Sequence, residues 1–327
     1  MTAASHDIRE GGSWTAPQTV KNQLLYVAAT AGLVALTPFA RLPAAWIRQL
    51  GRMLGRVLHA VGLGRQHTRD NLARAFPDMP LQARRALSRR VYAEFGGYLG
   101  DTLALLARPD ASLPIPFETG SREVLEEASA PGQGVIFASA HLGPWEHVAG
   151  SLVQHGFPLT TIARETYDPR FMRIYDRIRR GQGVHVIYRG ARGSATRLVR
   201  ALRRGAVLGM PMDLQSRVPS ILAPFLGVPA MTAVGPARIA LRTDAPVVVG
   251  TAVRTRQGNL AIRVTRIPTP PPGTDGAEDE LTRRLNDEIS ARILEFPEGW
   301  LWMHPRWAGA RVESSAEKTA SQGPETR

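Results

Sequence analysis

The 327-residue chain has no cysteine. That absence excludes disulfides, cysteine-ligated zinc, iron–sulfur clusters and thiol nucleophiles together, and it removes cysteine usage as a guide to compartment. Acidic residues are also scarce, 28 against 41 basic ones, for a formal charge of +13. So basic a balance suits nucleic acid, an anionic membrane or an acidic partner. The six tyrosines and nine phenylalanines are not interleaved with the basic residues. A base-stacking platform is therefore missing, and nucleic acid is not expected as a partner. Motif absences narrow the chemistry further. There is no Gly-x-Ser-x-Gly elbow, no Walker loop and no Gly-x-Gly-x-x-Gly fingerprint, which counts against hydrolase, nucleotidase and dinucleotide readings.

Long apolar runs are short too. Leu24 to Ala40 is uncharged over 17 residues but contains Pro38, which places it at the lower limit for a spanning helix. About twenty mostly polar residues precede it, unlike a signal peptide. The run reads as a membrane anchor or a helix half sunk in the interface; a buried amphipathic helix of a soluble protein would show the same pattern. Arg41, Arg48, Arg52, Arg56, Arg65, Arg69 and Arg74 follow, against the single acid Asp70. By the positive-inside rule, the rest of the chain stays on the cytoplasmic side.

With 43% hydrophobic and 21% charged residues, the remainder has the composition of a folded domain with one large core. Residues 43–106 read as helices throughout. In 44–63, Trp46, Leu50, Met53, Leu54, Val57, Leu58 and Val61 form an apolar stripe opposite arginines. Two readings of that stripe stand open: a helix lying on an anionic leaflet, or a helix packed on a core. From about residue 117 the texture changes. Apolar runs at 134–140, 159–163, 184–188, 206–210 and 245–253 read as strands buried on both faces. They alternate with helical segments at 144–155, 169–181, 194–204 and 233–243. Residues 259–267 alternate in polarity and read as an antiparallel edge strand, followed by a proline-rich linker and a helix over 277–296. The expected fold is α/β, with a mostly parallel central sheet covered by helices on both faces and an N-terminal helical, membrane-associating extension. The expected boundaries are a disordered 1–16, a membrane-associated helical region over 17–110, an α/β domain over 111–311 and a disordered tail over 312–327.

The segment "ASAHLGPWEHVAG" places His141 at the carboxyl end of the first strand, the edge where open α/β sheets bind ligands. Glu146 follows five positions later, inside a helix begun near Pro144. A neutral histidine there can take a proton from a hydroxyl if its other ring nitrogen is held by an acceptor. Glu146 is the candidate acceptor, and together they form the base-plus-orienter half of a triad without a protein nucleophile. The same histidine could also be merely structural. His-x4-Glu-His lacks the His-Glu-x-x-His spacing of a zinc helix, so no metal is expected.

At this point the sequence resembles the late acyltransferases of lipid A biosynthesis, a branch of the lysophospholipid acyltransferase superfamily. "HLGPWE" is similar to the family's His-x-Gly-x-Trp-Glu block, and "TRDNLARAFPDMP" to its upstream Asn-Leu…Phe-Pro segment. "TIARETYDPRF" is similar to its second block, with Arg164 in the arginine position. "LGMPMDLQ" puts Asp213 in the acidic position, although Leu214 separates it from Gln215. "GWLWMHPRW" is similar to the Trp-x-His-x-Arg-Trp ending. The resemblance implies an acyltransferase that moves a fatty acyl chain from acyl carrier protein or acyl-CoA to a hydroxyl of a phosphorylated glycolipid, a lipid A precursor. A phosphatidylinositol mannoside acyltransferase shares the same blocks. It also implies the cytoplasmic face of the inner membrane, contact with anionic lipid and no cofactor. In this reading His141 is the general base, Glu146 its orienter, and Arg164 and Arg189 bind phosphate or the developing oxyanion. Asp213 would hold Arg164 in place. The arginines at 189, 192, 197, 200, 203 and 204 would steer an acidic carrier protein. A peripheral membrane-binding module, with His141 and Glu146 only structural, is the alternative that involves no catalysis.

Overall fold

The structure, a computed structural model, describes residues 42–308 apart from 109–112, 130–131, 165–168, 191–192, 216–217 and 272. The Leu24 to Ala40 run and both chain ends lie outside the described residues. Three helices come first: α1 (Ala44–Ala60), α2 (Arg65–Ala75) and α3 (Leu81–Ala107). After α4 (Ser121–Ala128), strand and helix alternate through β1 (Val135–Ser139), α5 (Trp145–Gln154), β2 (Leu159–Arg164), α6 (Pro169–Gly181), β3 (His185–Arg189), α7 (Ser194–Arg203) and β4 (Val207–Pro211). A hairpin of β5 (Ser220–Phe225) and β6 (Val228–Ala233) precedes α8 (Gly235–Thr243), β7 (Val247–Arg254), β8 (Leu260–Ile267) and α9 (Ala277–Glu295).

Six strands form the central sheet in the order β3-β2-β4-β1-β7-β8. All pair in parallel except β8, which runs antiparallel to β7 at one edge, as its alternating polarity predicts. Alternate residues point to opposite faces of a strand, and here they divide between two packed layers. Ile136, Leu208 and Val249 join Leu198 of α7, Ala237 of α8 and Leu285 of α9. Phe137, Val207 and Val248 join Leu125 of α4 and Leu152 of α5. Helices thus cover both faces of a mostly parallel sheet. One strand departs from expectation: β3 is not buried on both faces but forms the other edge, with His185 and Arg189 exposed.

The β5–β6 hairpin has no counterpart in the sequence reading, because prolines hide it. Pro224 and Pro229 are register partners across it, tolerable in a two-stranded sheet where each strand has a free edge. Leu226 and Gly227 turn it with positive φ at both positions, the backbone of a type I′ turn. The hairpin is fastened to α9, where Ser290 Oγ accepts from Leu226 N–H at 3.0 Å and Asn286 Nδ2 donates to the Pro224 carbonyl at 2.9 Å.

The arginine-bordered stripe of α1 is largely exposed in the structure. Trp46, Met53, Val57 and Val61 are 64, 54, 56 and 71% exposed, while Leu58 alone of the stripe packs against the core. What α1 buries instead is its glycine face. A Cβ added to Gly51 would lie 2.2 Å from the Gly96 carbonyl oxygen, and one added to Gly55 would lie 2.0 Å from that of Tyr92. Backbones this close admit only glycine at the crossing. Beside it, Arg48 pairs with Asp101 at 2.8 Å and Arg52 with Glu94 at 2.8 Å. Close backbone approach and ion pairs thus make up much of the α1–α3 contact, beside the His59 ring against Tyr92 and the buried Ile47, and most of the large apolar side chains of α1 face outward. Among the described residues, no helix is long and apolar enough to cross a membrane.

Candidate active site

The site is built by parallel register. Ala138 of β1 lies beside Met210 of β4, and Ser139 beside Pro211. Continuing two residues along both chains brings His141 next to Asp213. Asp213 Oδ1 accepts from His141 Nδ1 at 2.9 Å, while Oδ2 accepts from the His141 main-chain N–H at 2.9 Å and from Trp300 Nε1 at 2.8 Å. Asp213 is fully buried, and three N–H donors satisfy the charge it brings into the interior. An ionised carboxylate only accepts, so Nδ1 carries the proton and Nε2 keeps its lone pair when the ring is neutral.

The electrostatics agree with this tautomer. Burial alone would lower the His141 pKa, but the charge and hydrogen bond of Asp213, with the more distant Glu146 carboxylate, outweigh it and raise the value. Burial pushes Asp213 upward in turn, and the His141 and Trp300 donors bring it below the usual carboxylate range. The chain between His141 and α5 turns at Gly143, where φ is +71° and an added Cβ would lie 2.6 Å from Ala252 Cβ. Gly143 N–H donates to the Gly299 carbonyl at 2.9 Å, which ties this turn to the segment carrying Trp300. The Trp145 ring meets His141 edge-on, with centroids 5.1 Å apart, and fixes its plane.

Glu146 does not orient His141. It sits in the first turn of α5, buried, and its carboxylate accepts from Arg179 Nη2 at 2.6 Å and Nε at 3.0 Å. This bidentate pair across to α6 occupies both oxygens. Asp213 occupies the orienting position instead, with its two oxygens serving His141 and Trp300. Arg164 and Arg189 are register partners at the ends of β2 and β3, on the same carboxyl edge as His141. Arg189 lines the cavity there; the Arg164 side chain lies outside what the structure describes.

That cavity, about 590 Å³, opens around His141 and extends over both faces of the sheet. One arm runs under α5, past Phe137, Leu152, Leu159 and Gly209; the other runs toward α7 and α8, past Ile187, Leu198, Met210 and Ile239. Three lining or supporting residues escaped sequence reasoning: Trp300, Arg179 and His304. Trp300 and His304 belong to the "GWLWMHPRW" segment, whose tryptophan and histidine spacing was the available signal; Arg179 had none. His304 also lines the cavity. Burial and the nearby His141 and Arg306 lower its pKa against the pull of Asp213. Asn71 of α2 clasps this segment, donating to the carbonyls of Trp302 at 2.8 Å and His304 at 2.7 Å. Among the described residues, no cluster of His, Asp and Glu could hold a metal ion.

An oriented histidine at the edge of an α/β sheet, backed by a buried carboxylate and opening on a largely apolar cavity, defines a class of enzyme that activates a hydroxyl or water. The family profile described as bacterial lipid A biosynthesis acyltransferase matches residues 18–308. The chain belongs to that family and is an acyltransferase. It is similar to a phosphatidylinositol mannoside acyltransferase of Mycolicibacterium smegmatis, 24% identical over 263 residues, covering 80% of this chain and 84% of the relative. It is similar also to the protein of that name in Mycobacterium tuberculosis, 23% identical over 263 residues, covering 79% and 82%.

Proposed function

We propose that this chain transfers a fatty acyl group from the thioester of an acyl carrier protein, or of coenzyme A, to a hydroxyl of a phosphorylated membrane glycolipid. The observation that carries the reading is His141, held by Asp213 as the Nδ1–H tautomer with Nε2 left as the base. The hydroxyl oxygen attacks the thioester carbonyl carbon as Nε2 takes its proton; the tetrahedral intermediate expels the thiolate, which receives that proton. The oxyanion formed in between, or a substrate phosphate, suits the guanidinium groups of Arg164 and Arg189 at the same edge.

Membrane contact fits the exposed stripe of α1 with arginines alongside it, the pattern of a helix lying in the interface on the cytoplasmic face. An acidic carrier fits α7, where Arg197, Arg200 and Arg203 are exposed on the helix that supplies Ser194 and Leu198 to the cavity. A lipid A precursor is the acceptor favoured by the family description. A phosphatidylinositol mannoside is the second reading, favoured by the names of the relatives.

The test is transfer of a labelled acyl chain by the purified chain to each acceptor separately, with product masses read by lipid mass spectrometry. Acylation of the lipid A precursor alone supports the first reading, and acylation of the mannoside alone supports the second. Acylation of neither, or equal rates for the protein and its His141→Ala variant, refutes the proposal.

A further inference from the structure

A second cavity lies among the N-terminal helices, about 460 Å³ in volume, and shares no lining residue with the one around His141. Its walls come chiefly from α2 and α3. Arg65 and Arg69 of α2 and Arg84, Arg85 and Arg89 of α3 line it, against one acid, Asp70. Arg65 with Arg69, and Arg85 with Arg89, stand four residues apart, the spacing at which like charges on one helix are neighbours and repel. Packing the two helices together adds the repulsion between the pairs.

Nothing in the cavity relieves that repulsion. Among the described residues no carboxylate pairs with any of the five, whereas Arg48 and Arg52 of α1 are paired with Asp101 and Glu94 at 2.8 Å. Nor does water take up all of it: Arg84 is half-buried, and its Nε is a buried donor with no hydrogen-bond partner. The field reaches the cavity wall, where Arg65 and Arg89 add to burial in lowering the pKa of His59. Backbone dipoles have the same sign. Arg65 and Leu81, the first residues of α2 and α3, both line the cavity, and neither helix has a side-chain cap or an acid in its first turn. Two positive helix ends therefore add to the arginines.

We infer that this cavity between α2 and α3 binds a phosphate monoester carried on a small polyol, a ligand site separate from the acyl-transfer cavity. Forked guanidinium donors match phosphate oxygens two at a time. A monoester carries about −1.5 to −2 charges at neutral pH, a diester only one, and five arginines with a single aspartate suit the more highly charged group. The volume lies within the range of about 300–1,000 Å³ typical of small-molecule sites, so a glycerol- or sugar-sized group fits beside the phosphate. The ligand has two sources with this same chemistry, a soluble glycerol or sugar phosphate and the exposed head of a phosphatidic acid. The inference does not depend on which glycolipid is acylated.

The test has two arms, both with the full chain. Calorimetry compares glycerol 3-phosphate with the diester glycerophosphoglycerol, and flotation compares phosphatidylcholine vesicles carrying phosphatidic acid or phosphatidylglycerol at equal surface charge. A preference of about 10-fold or more for the monoester in the first arm, the loss expected when a charged hydrogen bond goes unmade, identifies a soluble ligand. A preference confined to the vesicles identifies a headgroup. Either preference should disappear in Arg84→Gln with Arg85→Gln. Because the flotation readout is the ratio between two lipids of equal charge, a general loss of membrane contact through α1 does not imitate it. Arg69→Gln with Arg89→Gln removes two exposed side chains, one from each wall, and keeps the fold if the first variant does not. No preference in either arm, or a preference kept by the folded variants, overturns the inference.

Discussion

Replacing Asp213 by asparagine tests the site most directly, because the two side chains have nearly the same shape and differ in one hydrogen-bonding role. The carboxylate accepts three N–H bonds, one on Oδ1 from His141 Nδ1 and two on Oδ2. An amide can accept on only one side. If its oxygen faced Nδ1, its NH2 would oppose the two donors of His141 N and Trp300 Nε1, two buried clashes of like groups. The other orientation keeps both of those bonds and turns NH2 toward Nδ1. The ring then answers with its lone pair at Nδ1 and its proton at Nε2, which abolishes the base. A wrong-tautomer substitution of this kind lowers kcat by about 10⁴-fold, or roughly 5 kcal/mol of barrier. A second consequence is visible in pH. The neutral ring is the active form, and Asp213 raises the His141 pKa, so the acid limb of kcat/KM lies above the ordinary imidazole range. Without the carboxylate it moves to lower pH. The assay is kcat/KM for acyl transfer across the acid limb in both proteins, with circular dichroism to establish folding and imidazole nitrogen shifts to report the tautomer. A folded Asp213→Asn protein that keeps more than about a tenth of the rate, or keeps the acid limb in place, would refute the reasoning.

Three further outcomes are expected. Glu146→Gln removes the charge opposite Arg179 and leaves it one acceptor oxygen of two, so the melting temperature should fall, by at most the about 3–5 kcal/mol that breaking a buried pair costs; the acid limb should move down by less than in Asp213→Asn, because Glu146 acts on His141 only at a distance. Differential scanning calorimetry and the same pH series check both, and an unchanged melting temperature would contradict the ion-pair role. Met53→Glu with Val57→Glu should leave the fold intact, since both side chains are exposed, yet weaken sedimentation with anionic vesicles at low and high salt alike; undiminished sedimentation would exclude α1 as the contact. Arg200→Glu with Arg203→Glu should slow transfer from an acyl carrier protein far more than from the same chain on coenzyme A, because steering by a charged surface falls with ionic strength and depends on a large acidic partner. Steady-state rates with the two donors decide it, and equal losses would move the docking face elsewhere.

Much of the chain could be read residue by residue because local pattern and final environment agree. The apolar runs that became β1, β2, β4 and β7, the alternating β8, and the helices α5 through α9 lie within one or two residues of their predicted positions. In each, hydrophobic periodicity is set by burial against the next layer, which is the quantity the sequence displays. β3 misled because a run such as "VHVIY" looks the same at an edge as in a centre; only strand order distinguishes them. The hairpin was lost to Pro224 and Pro229, which suppress every strand signal while remaining compatible with a two-stranded ribbon.

The sequence by itself determined that a histidine stands at the end of the first strand, that the chemistry uses no thiol, and that a basic surface surrounds a mixed α/β core. Tertiary structure alone decided which carboxylate serves that histidine. Glu146 is five residues away and turns to Arg179, whereas Asp213 is 72 positions distant and arrives because β1 and β4 pair in parallel. Likewise Asn71 meets the carbonyls of Trp302 and His304 across more than two hundred residues, and the ring of Phe137 lies across Gly250 of the neighbouring strand. Spacing along a chain governs what one helix or one strand can present. Which side chains meet is governed by strand order and register, and these are set by the packing of the whole sheet.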